Sequence, residues 1–348
     1  TFPWDWMSFV GPDGAISLGG LSDIGNIFTF SDASSLSGAE PGDVIRVKGR
    51  DIHNLANLTK IGLVTGSGPS AQRAWFSEGA ITTYILAPDF IGYEAQVLGR
   101  TVNVRLFHFA PTDFQPVGVF EVTIDNPTDA RLVFATDLEP ALAYRYAVEF
   151  RNTPDTTLSF DAYQQVVVGQ AVLDTGDEHL YGQPVQAFVY SDNPLHSWSA
   201  NNLPFTSYLS TDALDGQIAT GPNDGRVAIS VVAQPTQRFY IGATVLDSTL
   251  RADPSGPMAT LRAARLAALA QLPIIDAPDL PAFKFVNTVS NLLNTYLINP
   301  DGKVYAVDKV VIYAPDTFIP TVAVPELLPD AWIDAFQDML VEFANHQY

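Results

Sequence analysis

The sequence predicts a mainly β protein, antiparallel sheets packed as a sandwich, followed by a linker and a C-terminal helical segment. Three observations predict it. Short apolar runs broken by Gly, Pro, Asn and Asp recur from Gly11 to about Val245. Several of these runs alternate with period two, with no helical pattern between them. The character then changes near Pro254, where Ala, Leu and Arg replace the β-branched residues.

The clearest strand runs Thr101–Phe109 and sets Val102, Val104 and Leu106 on one face. Val117–Ile124 repeats the pattern, with Phe120, Val122 and Ile124 in register, and stops at Asp125-Asn126-Pro127-Thr128-Asp129, a strong turn. Arg131–Thr136 reads as the return strand. Further runs are Gln164–Val168, Val185–Tyr190, Arg226–Ala233 and Arg238–Val245. Many strands joined by short turns pack most simply as two facing antiparallel sheets.

Beyond Pro254, Met258–Gln271 reads as a helix and Leu272–Pro281, with its prolines, as a linker. Ala282–Asn299 places Phe283, Val286, Val289, Leu292 and Tyr296 at helical spacing and stops at Asn299-Pro300-Asp301-Gly302. Pro329–Gln347 carries Trp332, Ile333, Phe336, Met339, Leu340 and Phe343 as one stripe, with Asp330 in the first turn. The expected division is 1–253 for the sandwich, 254–281 for the linker helix and linker, and 282–348 for the helical segment. Those stripes need partners: the sandwich itself, or further helices that complete a helical domain. The ending Ala344-Asn345-His346-Gln347-Tyr348 has no helix-stopping Gly or Pro, which favours the second.

Composition narrows the chemistry. The 348 residues include 38 acidic and 18 basic side chains, a net charge of −20. Phosphate backbones and anionic lipid surfaces repel such a chain, so no nucleic acid is expected as partner. No apolar run is long enough to span a bilayer. The absence of cysteine excludes disulfides, thiolate nucleophiles and iron–sulfur clusters. Thr1 in first place reads as a processed or trimmed start, as after removal of a signal peptide, and a secreted or cell-surface location is expected.

The five histidines, His53, His108, His179, His196 and His346, show no zinc-ligand spacing, and neither a metal nor a cofactor is expected. Gly66-Ser67-Gly68 is not a nucleophile elbow. Trp4, Trp6, Trp75 and Trp198 fall in loops or at strand ends. Trp198, within His196-Ser197-Trp198-Ser199-Ala200-Asn201-Asn202, has two readings: a flat platform for a sugar ring, or an ordinary loop anchor.

The order of parts resembles one group of glycoside hydrolases. In glucoamylase-like and glycogen-debranching-like enzymes, an N-terminal β-supersandwich is joined by a linker helix to an (α/α)6 toroid. Trp6–Ile16, with its Pro12-Asp13-Gly14 turn, resembles the entry strand of such sandwiches, and Phe120–Asp129 their mid-sheet strand–Asn–turn pattern. Tyr313-Ala314-Pro315-Asp316-Thr317-Phe318-Ile319 resembles the family's aromatic–Arg–Asp–Thr loop, whose aspartate holds the sugar. Pro315 stands where the family has arginine, so Asp316 is read either as a sugar-hydroxyl acceptor or as a plain turn aspartate.

The resemblance implies acid/base hydrolysis of a glycosidic bond, carbohydrate as partner, and Asp316, Tyr313 and Trp198 as substrate contacts. It places the general acid and base on later toroid loops, supplied by a chain continuation or a second chain, so no catalytic residue is named here. A non-catalytic capsid or surface-layer subunit and a sugar-binding module fit the composition as well.

Overall fold

The fold is described from a computed structural model over residues 6–10, 16–20, 56–86, 90–109, 117–138, 140, 155–174, 181–210, 214–220, 225–242 and 245–256, with 258–259, 263, 296–298 and 304–306. Among these the strands are β1 (Trp6–Val10), β2 (Ile16–Gly20), β3 (Ala56–Thr65), β4 (Gln72–Trp75), β5 (Ala80–Leu86), β6 (Phe90–Val97), β7 (Arg100–Phe109), β8 (Val117–Ile124) and β9 (Ala130–Leu138). They continue with β10 (Thr157–Asp161), β11 (Val166–Val172), β12 (Pro184–Ser191), β13 (Leu195–Ser199), β14 (Arg226–Val232) and β15 (Thr236–Gly242). A short helix α1 (Ser248–Ala252) and the strands β16 (Tyr296–Ile298) and β17 (Val304–Ala306) follow.

The strands form a seven-stranded sheet in the order β1-β2-β3-β9-β14-β13, with β4 also paired to β3, and an eight-stranded sheet in the order β10-β11-β12-β15-β8-β7-β6-β5. The ladders within both are antiparallel, as the short turns require. The turn at Asp125–Asp129 is closed by Asn126, whose side-chain oxygen accepts from the Thr128 N–H at 3.2 Å.

One apolar core joins the inner faces of the two sheets. Val104, Leu106, Phe120 and Val122 from one sheet and Leu132, Phe134 and Ile229 from the other are fully buried in it. At its centre the Phe134 ring stacks on Phe239, with centroids 4.8 Å apart, and meets Phe120 edge-on at 5.0 Å. The expected inward set on β7 and β8 is therefore the observed one.

The outer faces are partly covered as well, which explains why the central strands are apolar on both sides. On the seven-stranded sheet, Val64, Trp75, Val133, Ala135 and Ala228 lie under Phe205, Tyr208 and Leu209. The Tyr208 hydroxyl donates to the Arg226 carbonyl at 2.9 Å and accepts from the Leu203 N–H at 3.1 Å, pinning the covering segment down. On the eight-stranded sheet, Val117, Val119, Val166, Tyr190 and Tyr240 lie under Leu246, with Leu250 and Met258 packed alongside.

Two elements differ from the sequence expectation. A short helix that the sequence does not predict, α1, precedes the expected one: Asp247 caps it with its side-chain oxygen on the Thr249 and Leu250 N–H groups, and Met258 and Ala259 are helical as expected. Tyr296–Ile298, placed by spacing at the end of a helix, is a strand paired to Val304–Ala306 across the Asn299-Pro300-Asp301-Gly302 turn sequence. The β-branched and aromatic residues flanking that turn favour a hairpin over helical continuation. The expected linker at 272–281 and the helix at 329–347 lie outside the described residues.

Candidate functional site

Of the sequence-predicted contact residues, Trp198 is described, whereas Tyr313 and Asp316 lie outside the described residues. Trp198 sits in β13, at the edge of the seven-stranded sheet, on the inward side of the strand where it packs against the core. Phe160, from β10 at the matching edge of the other sheet, stacks on it with centroids 4.0 Å apart and planes 17° from parallel. The two rings close the open side of the sandwich, and the half-buried indole keeps part of its surface at the rim.

The backbone around Trp198 is held from two sides. Residues 215–219 run alongside β13: the Gly216 N–H donates to the Trp198 carbonyl at 2.9 Å, and the Ala219 N–H to the Ala200 carbonyl at 2.7 Å. Gly216 has φ +73° and lies against the indole, where an added Cβ would sit 3.8 Å from the ring. Asp215 shapes this turn by accepting from the Gln217 N–H at 3.1 Å and the Ser199 hydroxyl at 3.4 Å. On the other side, Gln165 of the β10–β11 turn accepts from the Leu195 N–H at 2.8 Å.

His196, two residues before the indole, faces Arg131, whose guanidinium donates to its Nδ1 at 3.5 Å. Burial and then the Arg131 charge lower the imidazole pKa, which favours the neutral ring that accepts from Arg131. Among the described residues, no three His, Asp or Glu side chains gather closely enough to hold a metal ion.

A second polar cluster, which the sequence does not reveal, lies on the outer face of the eight-stranded sheet. Arg238 on β15 stands opposite Glu121 on β8 and pairs with it at 3.1 Å. Asp192, just past β12, accepts from the Arg238 N–H at 2.9 Å and lies 3.7 Å from its guanidinium. Burial raises the Asp192 carboxyl above its ordinary range, against the pull of the Arg238 N–H and guanidinium. The one legible signal was a lone charge at an outward position of each apolar run, Glu121 and Arg238. Pairing them needs the register.

These acids already have work. Glu121 and Asp192 hold Arg238, Asp137 pairs with Arg226 at 3.6 Å, Asp161 accepts backbone N–H groups in a turn, and Asp247 accepts them at the start of α1. Glu94 accepts from Thr82 and Asn103. Chemically these contacts position strands and turns, and the rim beside Trp198 offers a half-buried aromatic surface with polar groups next to it. No helix among the described residues is long and apolar enough to cross a membrane.

No family model matches the chain, and no curated protein matches it. Among solved structures it is similar to one assigned as a kojibiose phosphorylase from the human microbiome, with a TM-score of 0.32 and 9% identity, covering 71% of this chain and 29% of that one. It is also similar to a 4-alpha-glucanotransferase from Thermococcus litoralis, with a TM-score of 0.25 and 8% identity, covering 68% of this chain and 35% of that one. The chain therefore spans between 29% and 35% of the length of these two solved chains.

Proposed function

We propose that this chain is the β-sandwich part of a carbohydrate-active enzyme that hydrolyses glycosidic bonds. The observation that carries this is the order of parts. A two-sheet antiparallel sandwich ends at β15, and residues 245–252, with their Asp247-capped helix, lie on the outer face of the eight-stranded sheet. That is the sandwich-then-linker-helix order of the glycoside hydrolases that the sequence resembles.

In this reading one carboxylic acid protonates the leaving oxygen and one carboxylate activates water or attacks the sugar carbon. Those two groups belong to the helical part of the enzyme, completed by further chain or a second chain, and the sandwich walls the site. Tyr313 offers an aromatic face to the sugar, Trp198 the part of its indole left exposed beside Phe160, and Asp316 accepts the sugar hydroxyls. The protein acts where glycans are met, outside the cell or at its surface.

The test is reducing-sugar release from a panel of α- and β-linked oligosaccharides by the complete native protein, with and without Asp316→Ala. Losing a charged hydrogen-bond partner costs about 1.5–3 kcal/mol, so kcat/KM should fall at least about tenfold while the circular-dichroism spectrum stays unchanged. No release from any member of the panel, or equal turnover by the variant, overturns the corresponding claim.

A further inference from the structure

We propose that residues 245–256 form a latch, docked on the eight-stranded sheet, that fixes how the chain leaves the sandwich and that opens as one unit while both sheets stay folded. The latch rests on two tyrosines that face each other across β12 and β15, Tyr190 and Tyr240. Their rings stack with centroids 5.0 Å apart and planes only 6° from parallel, so one rigid aromatic pair presents two hydroxyls to the segment above it.

Each hydroxyl holds a different point of that segment. The Leu246 N–H donates to the Tyr190 oxygen at 3.1 Å, and the Tyr240 hydroxyl donates to the Arg251 carbonyl at 2.5 Å. Arg251 adds two ties of its own. Its guanidinium lies 5.6 Å above the Tyr190 ring and donates to the Gln164 carbonyl, in the β10–β11 turn, at 3.1 Å. Two strands and a turn therefore grip one short piece of chain, and Leu246 is buried beneath it on Val117, Val119 and Val166. A free tether has no such grip.

The same geometry makes the segment separable. Helix α1 has five residues and none of its side chains is fully buried. A helix that short does not persist in water, so it melts when the hydroxyls let go. The sheets keep their own ladders, and opening costs less than global unfolding.

Trypsin reads this directly, because it cleaves after Arg251 and the scissile carbonyl is the one that Tyr240 holds. The comparison is the cleavage rate at Arg251 in the full chain against that in a synthetic peptide of residues 245–258. We expect the full chain to be cut at least about tenfold more slowly. Tyr240→Phe and Tyr190→Phe should each speed that cut about fivefold, as expected for one neutral hydrogen bond. The thermal midpoint of the sandwich should hold, and Arg131 and Arg226 in the sheets should stay resistant.

Asp247→Ala removes the helix cap from an exposed position and should also speed the cut by about fivefold, which keeps the test open if a tyrosine variant fails to fold. Cleavage of the native chain as fast as the peptide overturns the latch. So does release of Arg251 only in step with Arg131 and Arg226, and so does an Asp247→Ala rate equal to that of the unaltered chain.

Discussion

Tyr208 satisfies two backbone groups with one hydroxyl, accepting from Leu203 and donating to the Arg226 carbonyl. Tyr208→Phe leaves a buried N–H without its acceptor, and a loss of about 1–3 kcal/mol of unfolding free energy is expected in urea titration. Asp192 gives a pH signature of the opposite kind to the usual paired carboxylate. Burial lifts its folded pKa above the ordinary 3.8, so the folded state holds this proton more tightly than the unfolded chain does. Its contribution is greatest below pH 3.8 and is lost as pH rises through the folded value. The unfolding free energy of the native sequence minus that of Asp192→Asn should thus decline as pH rises above 3.8, and a rise would sink this account. Trp198 shows how far single residues were legible. Its type and its place near a strand end were readable, but Phe160, 38 residues earlier in sequence, is what stacks on it, and nothing local encodes that contact.

Elements were legible where alternation was clean. Thr101–Phe109 and Val117–Ile124 appear almost as read, because each has one consistently buried face. Strands such as β6, β10 and β13 carry polar, Gly or aromatic residues out of period and become strands through pairing with their neighbours. The onset of helix near Ser248 was missed because the Asp247 cap follows a β-like run with no apolar period behind it. The end of the β9–β14 ladder is equally dependent on tertiary context. At Gly225, φ is +75° and an added Cβ would lie 2.0 Å from the Leu138 carbonyl oxygen. Gly225→Ala meets both backbone strain and a collision with main chain, and should cost at least about 2 kcal/mol in thermal or denaturant unfolding. In the core, Phe134 touches an aromatic ring on either side, and Phe134→Ala should cost about 3–5 kcal/mol by the same measurement.

At the scale of the molecule, a net charge of −20 is a property of the surface rather than of the fold. Like charges repel within the folded state and salt screens them, so raising NaCl from about 0.01 M to about 0.15 M should raise the thermal midpoint. A midpoint that falls over that range would show that specific ion pairs such as Arg238–Glu121 outweigh the general repulsion. The same charge predicts no mobility shift of DNA or RNA at near-physiological ionic strength. The molecule's sandwich class was legible because period-two alternation and turn spacing leave few alternatives. The candidate rim was less so, since it is assembled from two sheet edges and a turn that are distant in sequence.

The backbone run of residues 215–219 beside β13 has a bearing on how the protein behaves in crowded solution. An outermost strand with free carbonyls and amides is a template on which another chain can add, the first step of fibril growth. Here the Trp198 carbonyl and both backbone groups of Ala200 are already taken, by Gly216, Gln217 and Ala219, and the added stretch meets Ala200 in a parallel bridge at Ile218. So brief and irregular a stretch is a poor surface for further stacking, and it works as a plug against self-templating along this margin. Because Asp215 shapes the plug, Asp215→Ala should uncover the margin and shorten the lag before thioflavin-positive aggregates appear at elevated temperature. An unchanged lag would mean that some other barrier keeps the molecules apart.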